Sequence, residues 1–421
     1  MATPTPVSVE TITYQVGFGD CFLLRFNYPA PRRSHCVLID FGSTRKNGYS
    51  LTEVSREIKR DCDGKLDVVV ATHRHKDHVH GFARNGRGNG TGKVIADLDP
   101  SVVIMPWTED PRADPQAIRP TKRYGSHGSA FVNELADMQR FAGAMIRQSK
   151  IHAFAEERGL RAQLRTLGDN NLGNAKAMEN LRGMGRRTYY AYHNMPLRLV
   201  RELPGVKVHV LGPPTLAQSD AIKTQRSADA DEFWHLQARA NRSSVEAPVI
   251  FPNAQTVKNP VWGRWLRRRL RKDRGEQLLS IVRSLDYAMN NTSLILLFEV
   301  GDKKLLFPGD AQYENWMYAL EQDWVKELLA GVDVYKVGHH GSLNASPKSM
   351  LDLFQKKRSN VTDAGPVMQS LLSTMHGVHG SVADRTEVPR KTLVKKLASE
   401  TQLTSTEDLG GKISHRGTLY L

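Results

Sequence analysis

Histidine and aspartate side chains are concentrated in the stretch VVVATHRHKDHVHGFA, residues 68–83, directly after an apolar run. His73 and His75 are separated by one residue, and Asp77 and His78 follow at once. A single turn can therefore direct several of these side chains at one small volume. Imidazole and carboxylate groups together suit zinc, with manganese or iron as alternatives. The stretch predicts a metal site, because packing alone seldom gathers so many ionisable groups at the end of a buried strand.

The elements that must position this turn alternate along the chain. Strands are predicted at ETITYQV, CFLLRF, HCVLIDFG and KLDVVVATH, and a helix at LTEVSREIKRDC. Further strands are predicted at SVVIMPW, VKVHVLGPP, SLILLFEV, KKLLFPGD, VDVYKVGHH and SLLSTM, and helices at YENWMYALEQDWVKELLA and RKTLVKKLASE. Strands interleaved with helices predict an α/β fold, with the histidine-rich turn at the carboxyl end of a strand.

One domain is predicted for the whole chain, residues 1–421, with two insertions. Residues from about 110 to 205 are polar and mostly helix-like, and residues from about 215 to 287 are polar and then strongly basic. Strand patterns resume after each of these segments, which is why both are interpreted as insertions into one domain.

Composition excludes several classes of protein. The chain has no apolar run near the roughly 18–20 residues that span a bilayer, and MATPTPVSVE lacks the basic and apolar regions of a signal peptide. We therefore expect a cytoplasmic protein without a membrane partner. Cys21, Cys36 and Cys62 are odd in number and show no CxxC spacing. They are predicted to be small core residues, not disulfide partners or zinc ligands.

A strong excess of positive charge favours a polyanionic partner. The formal net charge is +15, and such an excess attracts nucleic acid through phosphate contacts. Residues 262–274, WGRWLRRRLRKDR, add tryptophans that can stack on bases to arginines that can pair with phosphates. The side chains predicted to bind nucleic acid are Arg264, Arg267, Arg268, Arg269, Arg271 and Lys272.

Two other interpretations of residues 262–274 stay open. The segment could be an amphipathic surface helix whose tryptophans pack inward, or a docking site for an acidic partner protein. Smaller basic stretches at residues 84–93 and 182–187 favour phosphate binding without deciding the question.

The motifs resemble those of the metallo-β-lactamase superfamily. Its HxHxDH signature is matched by THRHKDH, VLIDFG supplies Asp40 at the first acidic motif, LLFPGD supplies Asp310, and VYKVGHHGS supplies His339 and His340. More narrowly, QVGFGDCFLL, NNTSLILLFEVGDKKLLFPGDA and KVGHHGS resemble the ComEC-type branch, the hydrolase domain associated with DNA-uptake competence proteins. The resemblance spans about residues 10–345 outside the insertions. It implies a metallo-β-lactamase-type αβ/βα four-layer sandwich with helical and basic insertions.

The resemblance also implies a two-metal site, occupied by zinc or alternatively manganese. In that site His73 and His75 would hold one metal, Asp77 and His78 the second, and the carboxylate of Asp310 would bridge them. The full set of implied ligands is His73, His75, Asp77, His78, Asp310 and His339.

His339 and His340 have different predicted roles. Adjacent residues on a strand end point in opposite directions, so one of the pair should bind metal. We take His339 as the ligand and His340 as a catalytic group that contacts substrate or donates a proton. Asp77 would also hold the attacking water, and Asp20 of the GFGD turn is a candidate partner for a ligand histidine.

The sequence departs from the superfamily at its third motif, where another histidine is usual. His209 lies within an apolar strand and His193 has an aromatic setting without ligand spacing. The ComEC-like branch has Asn and Ser at this stage, here Asn290 and Ser293. The first metal site could therefore be weak, filled only with substrate, or absent.

The ligand set predicts metal-assisted hydrolysis, and the net charge with the branch resemblance favours a phosphodiesterase or nuclease. The alternative is a metallohydrolase of a small molecule or peptide, with the basic segment docking a partner protein. A non-catalytic scaffold is the least favoured class, because the metal motifs are intact.

Overall fold

The computed structural model describes residues 4–110, 174–219, 289–342, 346–358, 367–380 and 387–421. The strands, in chain order, are β1 (Ser8–Tyr14), β2 (Cys21–Asn27), β3 (His35–Phe41), β4 (Val68–Val70), β5 (Val102–Pro106), β6 (Arg187–Ala191), β7 (Val206–Gly212), β8 (Ile295–Val300), β9 (Lys303–Phe307), β10 (Val334–Lys336), β11 (Gln369–Leu372), β12 (Gln402–Ser405) and β13 (Ser414–Tyr420).

The α-helices of the described residues are α1 (Leu51–Asp61), α2 (Lys76–Val79), α3 (Thr91–Ala96), α4 (Ala175–Met184), α5 (Tyr313–Leu320), α6 (Asp323–Ala330), α7 (Lys348–Leu353) and α8 (Lys391–Glu400). Short 3₁₀ turns lie at His80–Phe82, Trp107–Glu109, Gly338–Gly341 and Thr406–Asp408. Helix α1 begins at a capping box, in which Ser50 and Glu53 each accept, through the side chain, from the backbone N–H of the other.

The strands form two mixed sheets. The first is a 7-stranded sheet in the order β13-β1-β2-β3-β4-β5-β6, and the second is a 6-stranded sheet in the order β12-β11-β10-β9-β8-β7. Pairing is antiparallel from β13 to β3 and parallel from β3 to β6. In the second sheet it is antiparallel from β7 to β9 and parallel from β9 to β12.

Three buried clusters show how the elements pack. Strand β3 illustrates the pattern, because Leu38 joins a cluster with Val54 of α1, whereas the next residue, Ile39, joins a cluster with Phe298 of the second sheet. Alternate strand residues point to opposite faces, so a strand covered on both sides is a continuous apolar run. A third cluster packs the far face of the second sheet against α5 to α8, including Trp316. Helices thus cover the outer face of each sheet.

The α/β class is confirmed, and each strand predicted from the sequence is present. The helix predicted over YENWMYALEQDWVKELLA divides into α5 and α6, because Gln322 between them has an extended backbone. Strands β6, β12 and β13 were not predicted, since they are short or alternate in exposure. Cys21, Cys36 and Cys62 are buried free thiols, as expected.

Most of the two predicted insertions lies outside the described residues. Of the first, residues 174–205 are described, and they contribute α4 to the helices that cover the first sheet and β6 to that sheet's edge. The whole basic segment 262–274 lies outside the described residues. No helix of the described ranges is long and apolar enough to cross a membrane.

Candidate metal centre

The predicted site residues follow strands of both sheets. His73 comes after β4 of the first sheet, whereas Asp310 comes after β9 and His340 after β10 of the second. Asp40 is near the end of β3 and Asp20 immediately precedes β2. Because β2 runs antiparallel to β3, the beginning of β2 and the end of β3 lie at one edge of the sheet. The fold therefore gathers side chains that are distant in sequence.

The HxHxDH turn is packed tightly against the GFGD turn. The backbone N–H of Asp20 donates to the carbonyl of Asp77 at 2.8 Å. Gly42 is in contact with the same turn, since a Cβ atom there would lie 2.4 Å from the backbone nitrogen of His78. Only glycine permits this approach, so the backbone at Gly42 packs directly against the backbone of the HxHxDH turn.

The Nε2 atoms of four histidines lie around one carboxylate oxygen. Oδ2 of Asp310 lies 3.0 Å from Nε2 of His78. The corresponding distances are 3.8 Å for His73, 3.8 Å for His339 and 3.9 Å for His340. An oxygen surrounded by ring nitrogens is the arrangement expected of ligands that share a cation.

Hydrogen bonds to Nδ1 fix the orientation of two of these rings. Nδ1 of His78 lies 2.7 Å from Oδ2 of Asp40. Nδ1 of His340 lies 3.0 Å from the carbonyl oxygen of Ser373, which can only accept. Each Nδ1 therefore carries a proton, so Nε2 is the nitrogen through which either ring would bind a cation once it has lost any second proton. This is how a protein prepares histidine to bind metal through Nε2.

Thr72 orients the ring of His73. Its backbone N–H and its hydroxyl donate to the two oxygens of Asp40, at 2.7 and 2.6 Å. The hydroxyl proton is thus used, and the Thr72 oxygen can accept from Nδ1 of His73 at 3.2 Å. Nε2 of His73 lies 3.0 Å from Nδ1 of His75, which brings the two predicted ligands of the first metal together.

One compact group has the geometry of a cation site. Single ligand atoms of Asp77, His78, Asp310 and His340 all lie within 4.8 Å of one another, and all four side chains are buried. Nε2 of His340 lies 3.2 Å from Oδ2 of Asp77. These buried groups could hold a metal ion.

The structure distinguishes His339 from His340. His340 is fully buried in the group, whereas the side chain of His339 is 27% exposed. Both residues have positive φ, 43° and 51°, so they form a left-handed turn. The alternation expected of an extended strand end therefore does not apply here. The geometry favours His340 as the ligand, and the assignment of His339 stays a prediction.

Asp20 lies behind two of the histidines. Its Oδ1 is 3.4 Å from Nδ1 of His340 and its Oδ2 is 3.7 Å from Nδ1 of His78. It also forms an ion pair with Lys336, a buried lysine at the end of β10. Sequence reasoning found Asp20 but missed Lys336, although a lysine in the apolar strand VDVYKV indicates a buried charge with a partner.

Burial and neighbouring charges shift the pKa values of the cluster in opposite directions. Burial lowers the pKa of His73 well below its ordinary value, and the charges of His78 and His75 lower it further. Burial alone would also lower the pKa of His78, but the charges of Asp310 and Asp40 raise it well above the ordinary value. Burial would raise the pKa of Asp310, yet the positive charge of His78 holds it well below. A cation bound at Nε2 of His78 would therefore displace a proton.

The third-motif position carries no histidine in the described part of the cluster. His209 lies 2.8 Å from Oε2 of Glu299, and Nδ1 of His193 donates to the carbonyl of Leu211 at 2.7 Å. Asn290 is 1% exposed, and neither polar atom of its side chain has a hydrogen-bond partner among the described residues.

The arginines of residues 182–187 are ion-paired, whereas in residues 84–93 Lys93 is the paired side chain. Arg186 lies 2.8 Å from Asp99, and Arg187 lies 2.9 Å from Glu202. Lys93 pairs with Asp97 and Arg182 with Glu109, at 2.6 and 3.6 Å. These pairs reduce the positive charge that the two stretches offer to a phosphate backbone.

Comparison of the chain with protein-family models found no match, and comparison with curated proteins found no significant match. A functional interpretation therefore depends on the residues and their geometry, together with the motif resemblance.

Proposed function

We propose that this protein is a metal-dependent hydrolase that cleaves phosphodiester bonds, most readily in nucleic acid. The observation that carries the proposal is the convergence of histidine Nε2 atoms on Oδ2 of Asp310, with Nδ1 of His78 and His340 held by acceptors. A group of histidines serving only to fill space would not need this shared orientation.

The proposed fold family is the metallo-β-lactamase type, with its αβ/βα sandwich. Two mixed sheets packed face to face and covered by helices on both outer faces support it. So does the position of the HxHxDH turn, which meets Asp310 and His340 where strands of both sheets end.

The proposed metal is zinc, with manganese as the alternative, because the donors are imidazole nitrogens and carboxylate oxygens. Asp77, His78, Asp310 and His340 would hold one ion, and His73 and His75 would contribute to a second. When bound, such a pair of cations activates a water and stabilises charge on the transferred oxygens.

Individual residues of the site have different roles in the proposed hydrolysis. Asp40 orients the ring of His78, Thr72 orients that of His73, and Asp310 presents Oδ2 to the whole group. Burial of Asp77 and His340 excludes bulk water, which strengthens their electrostatic interactions. His339 lies at the exposed side, where it would meet the substrate.

A phosphodiester substrate is proposed from charge and from the branch resemblance. The net charge of +15 favours a polyanion. The basic segment 262–274 would supply phosphate contacts, and docking of an acidic partner protein stays the alternative use of that segment. Arg186 and Arg187 are already paired with acidic side chains, which favours the segment as the main source of phosphate contacts.

Metal analysis combined with cleavage assays tests the proposal. The purified chain, loaded with Zn²⁺ or Mn²⁺, should cleave single- or double-stranded DNA or RNA, and chelation should abolish cleavage. Bound metal with turnover of only small esters or peptides would favour the alternative hydrolase class. A chain that binds neither metal would refute the proposal.

Replacement of the two adjacent histidines separates their roles. We expect His340→Ala to lower the metal content per chain, and His339→Ala to keep the metal but lose turnover. The reverse pattern would restore the assignment of His339 as ligand.

A further inference from the structure

The candidate metal centre contains Lys336, the first residue of KVGHHGS, to which neither the predicted ligand set nor the proposed chemistry assigns a role. Lys336 is 1% exposed. Its Nζ contacts the carboxylate of Asp20 and lies 3.1 Å from the carbonyl oxygen of Gly309. An ammonium buried this deeply is costly unless such partners are present. The contacts of Lys336 with Asp20 and Gly309 therefore stabilise its charge within the site.

The two oxygens of Asp310 face different partners. Oδ2 faces the histidines, with Nε2 of His78 at 3.0 Å. Oδ1 faces Nζ of Lys336 at 3.6 Å. The carboxylate of Asp310 thus lies between the ammonium group of Lys336 and the histidines that are candidate metal ligands.

We propose that Lys336 is a positioning residue of the metal centre, which holds Asp310 so that Oδ2 is presented to the candidate ligands. The inference rests on the proposed function. Asp20 and the carbonyl of Gly309 anchor the ammonium beside Oδ1 of Asp310. Without the ammonium, the carboxylate of Asp310 could rotate, and Asp20 would be left without its cationic partner.

The direction in which metal affinity changes when Lys336 is replaced distinguishes an orienting lysine from one that is only a nearby positive charge. A lysine that acts only as a nearby positive charge repels a cation, so its removal would strengthen metal binding. A lysine that orients a ligand promotes binding, so its removal should weaken it. Loss of groups that orient metal ligands typically lowers metal affinity about 10–100-fold.

The test uses the full chain and Mn²⁺ binding measured by titration calorimetry. Lys336→Met removes the charge and keeps the length of the side chain, and Lys336→Gln removes the charge but keeps a hydrogen-bond donor. The matched control is Lys357→Met, because Lys357 is also buried and contacts a carbonyl, that of Leu351 at 3.1 Å, away from the metal centre. Circular dichroism and thermal unfolding establish that each variant is folded.

We expect Mn²⁺ affinity to fall at least about tenfold in folded Lys336→Met and Lys336→Gln, and to stay unchanged in Lys357→Met. Unchanged or tighter binding in the folded Lys336 variants would overturn the inference and leave the proposed function standing. Loss of folding in both, with Lys357→Met folded, would show a purely structural lysine and also overturn it. Absence of Mn²⁺ and Zn²⁺ binding in the unaltered chain would overturn the proposed function itself.

Discussion

Nδ1 of His78 lies 2.7 Å from Oδ2 of Asp40, and both side chains are buried. Asp40 lies near the end of the first sheet's strand β3 in a left-handed conformation, with φ 55°. This conformation is uncommon for a residue other than glycine, and it turns the carboxylate towards the histidine. The pair shows how a carboxylate outside the predicted ligand set fixes the ring of a histidine that is a candidate ligand.

Asp40→Asn should weaken metal binding without abolishing it. The amide keeps the shape of the side chain, but it has one acceptor oxygen where the carboxylate has two. It cannot accept hydrogen bonds from both Thr72 and His78 as Asp40 does, so the ring of His78 loses its fixed orientation. We expect Mn²⁺ affinity to fall about 10–100-fold, measured by titration calorimetry. Asp302→Asn is the control, because that side chain is 73% exposed and remote from the cluster. Equal losses in both variants would contradict the role assigned to Asp40.

Asp310→Ala should remove bound metal and all hydrolysis. Oδ2 of this carboxylate is within 3.9 Å of Nε2 of four histidines, so its removal takes away the atom that they share. Metal per chain is measured by plasma mass spectrometry, and turnover with a chromogenic phosphodiester. Asp323→Ala, at an 88% exposed side chain, should change neither. Full activity in Asp310→Ala would refute the site assignment.

Gly42→Ala should displace the HxHxDH turn. The added Cβ would lie 2.4 Å from backbone atoms of Asp77 and His78, so the turn must move. Overpacking of this kind costs about 1–3 kcal/mol of stability. Gly86→Ala is the matched control, since a Cβ there meets nothing within 4 Å. Urea unfolding and Mn²⁺ titration of both variants test this, and indistinguishable behaviour would argue against tight packing at Gly42.

Asp67→Asn should destabilise the protein in a pH-dependent way. Burial raises the pKa of Asp67, but hydrogen bonds from His35, Arg33 and the backbone N–H of Cys36 outweigh it and hold the pKa below its ordinary value. A carboxyl with a depressed pKa in the folded state stabilises above its unfolded pKa, about 3.9, and loses that contribution as pH falls through the folded value. The loss at pH 7 should be about 1.5–3 kcal/mol.

Urea unfolding of the unaltered chain and Asp67→Asn at pH 7 and near pH 3 measures this effect. The difference in unfolding free energy between the two proteins should shrink at the lower pH. A difference that stays constant would show that the ionised carboxylate contributes nothing specific.

Neutralising the basic segment should weaken nucleic-acid binding and make it less sensitive to salt. The substitutions to glutamine are at Arg264, Arg267, Arg268, Arg269, Arg271 and Lys272. The log–log slope of affinity against salt should decrease by about 0.9 for each duplex phosphate that the segment no longer neutralises. Fluorescence anisotropy at several salt concentrations measures the slope, and turnover of a small phosphodiester should persist.

Arg186→Gln with Arg187→Gln is the control for that experiment, because both arginines are already paired with acidic side chains. We expect a smaller change in slope. An unchanged salt slope in the basic-segment variant would exclude residues 262–274 as the phosphate-binding surface. If that variant also lost a co-purifying protein, the docking of an acidic partner would be favoured.

The sequence by itself determined most of the strands that build the two sheets. Strands such as HCVLIDFG and SLILLFEV are covered on both faces, so they are continuous apolar runs that local pattern reveals. Half-exposed strands such as β13 carry no such run and were missed. The histidine-rich turn could also be recognised, because its ligand types are close together in the chain.

Only the tertiary structure decided how the distant parts of the cluster meet. Asp77 and His340 are 263 residues apart, and their contact depends on the packing of one sheet against the other. Whether His339 or His340 is the better candidate ligand depends on a left-handed turn that the residue types do not predict. The role proposed for Lys336 depends on its contacts with Asp20 and Asp310, which are distant from it in the chain. Local sequence specifies which side chains are present, but long-range packing fixes their directions, because each direction depends on backbone conformation and on neighbours distant in the chain.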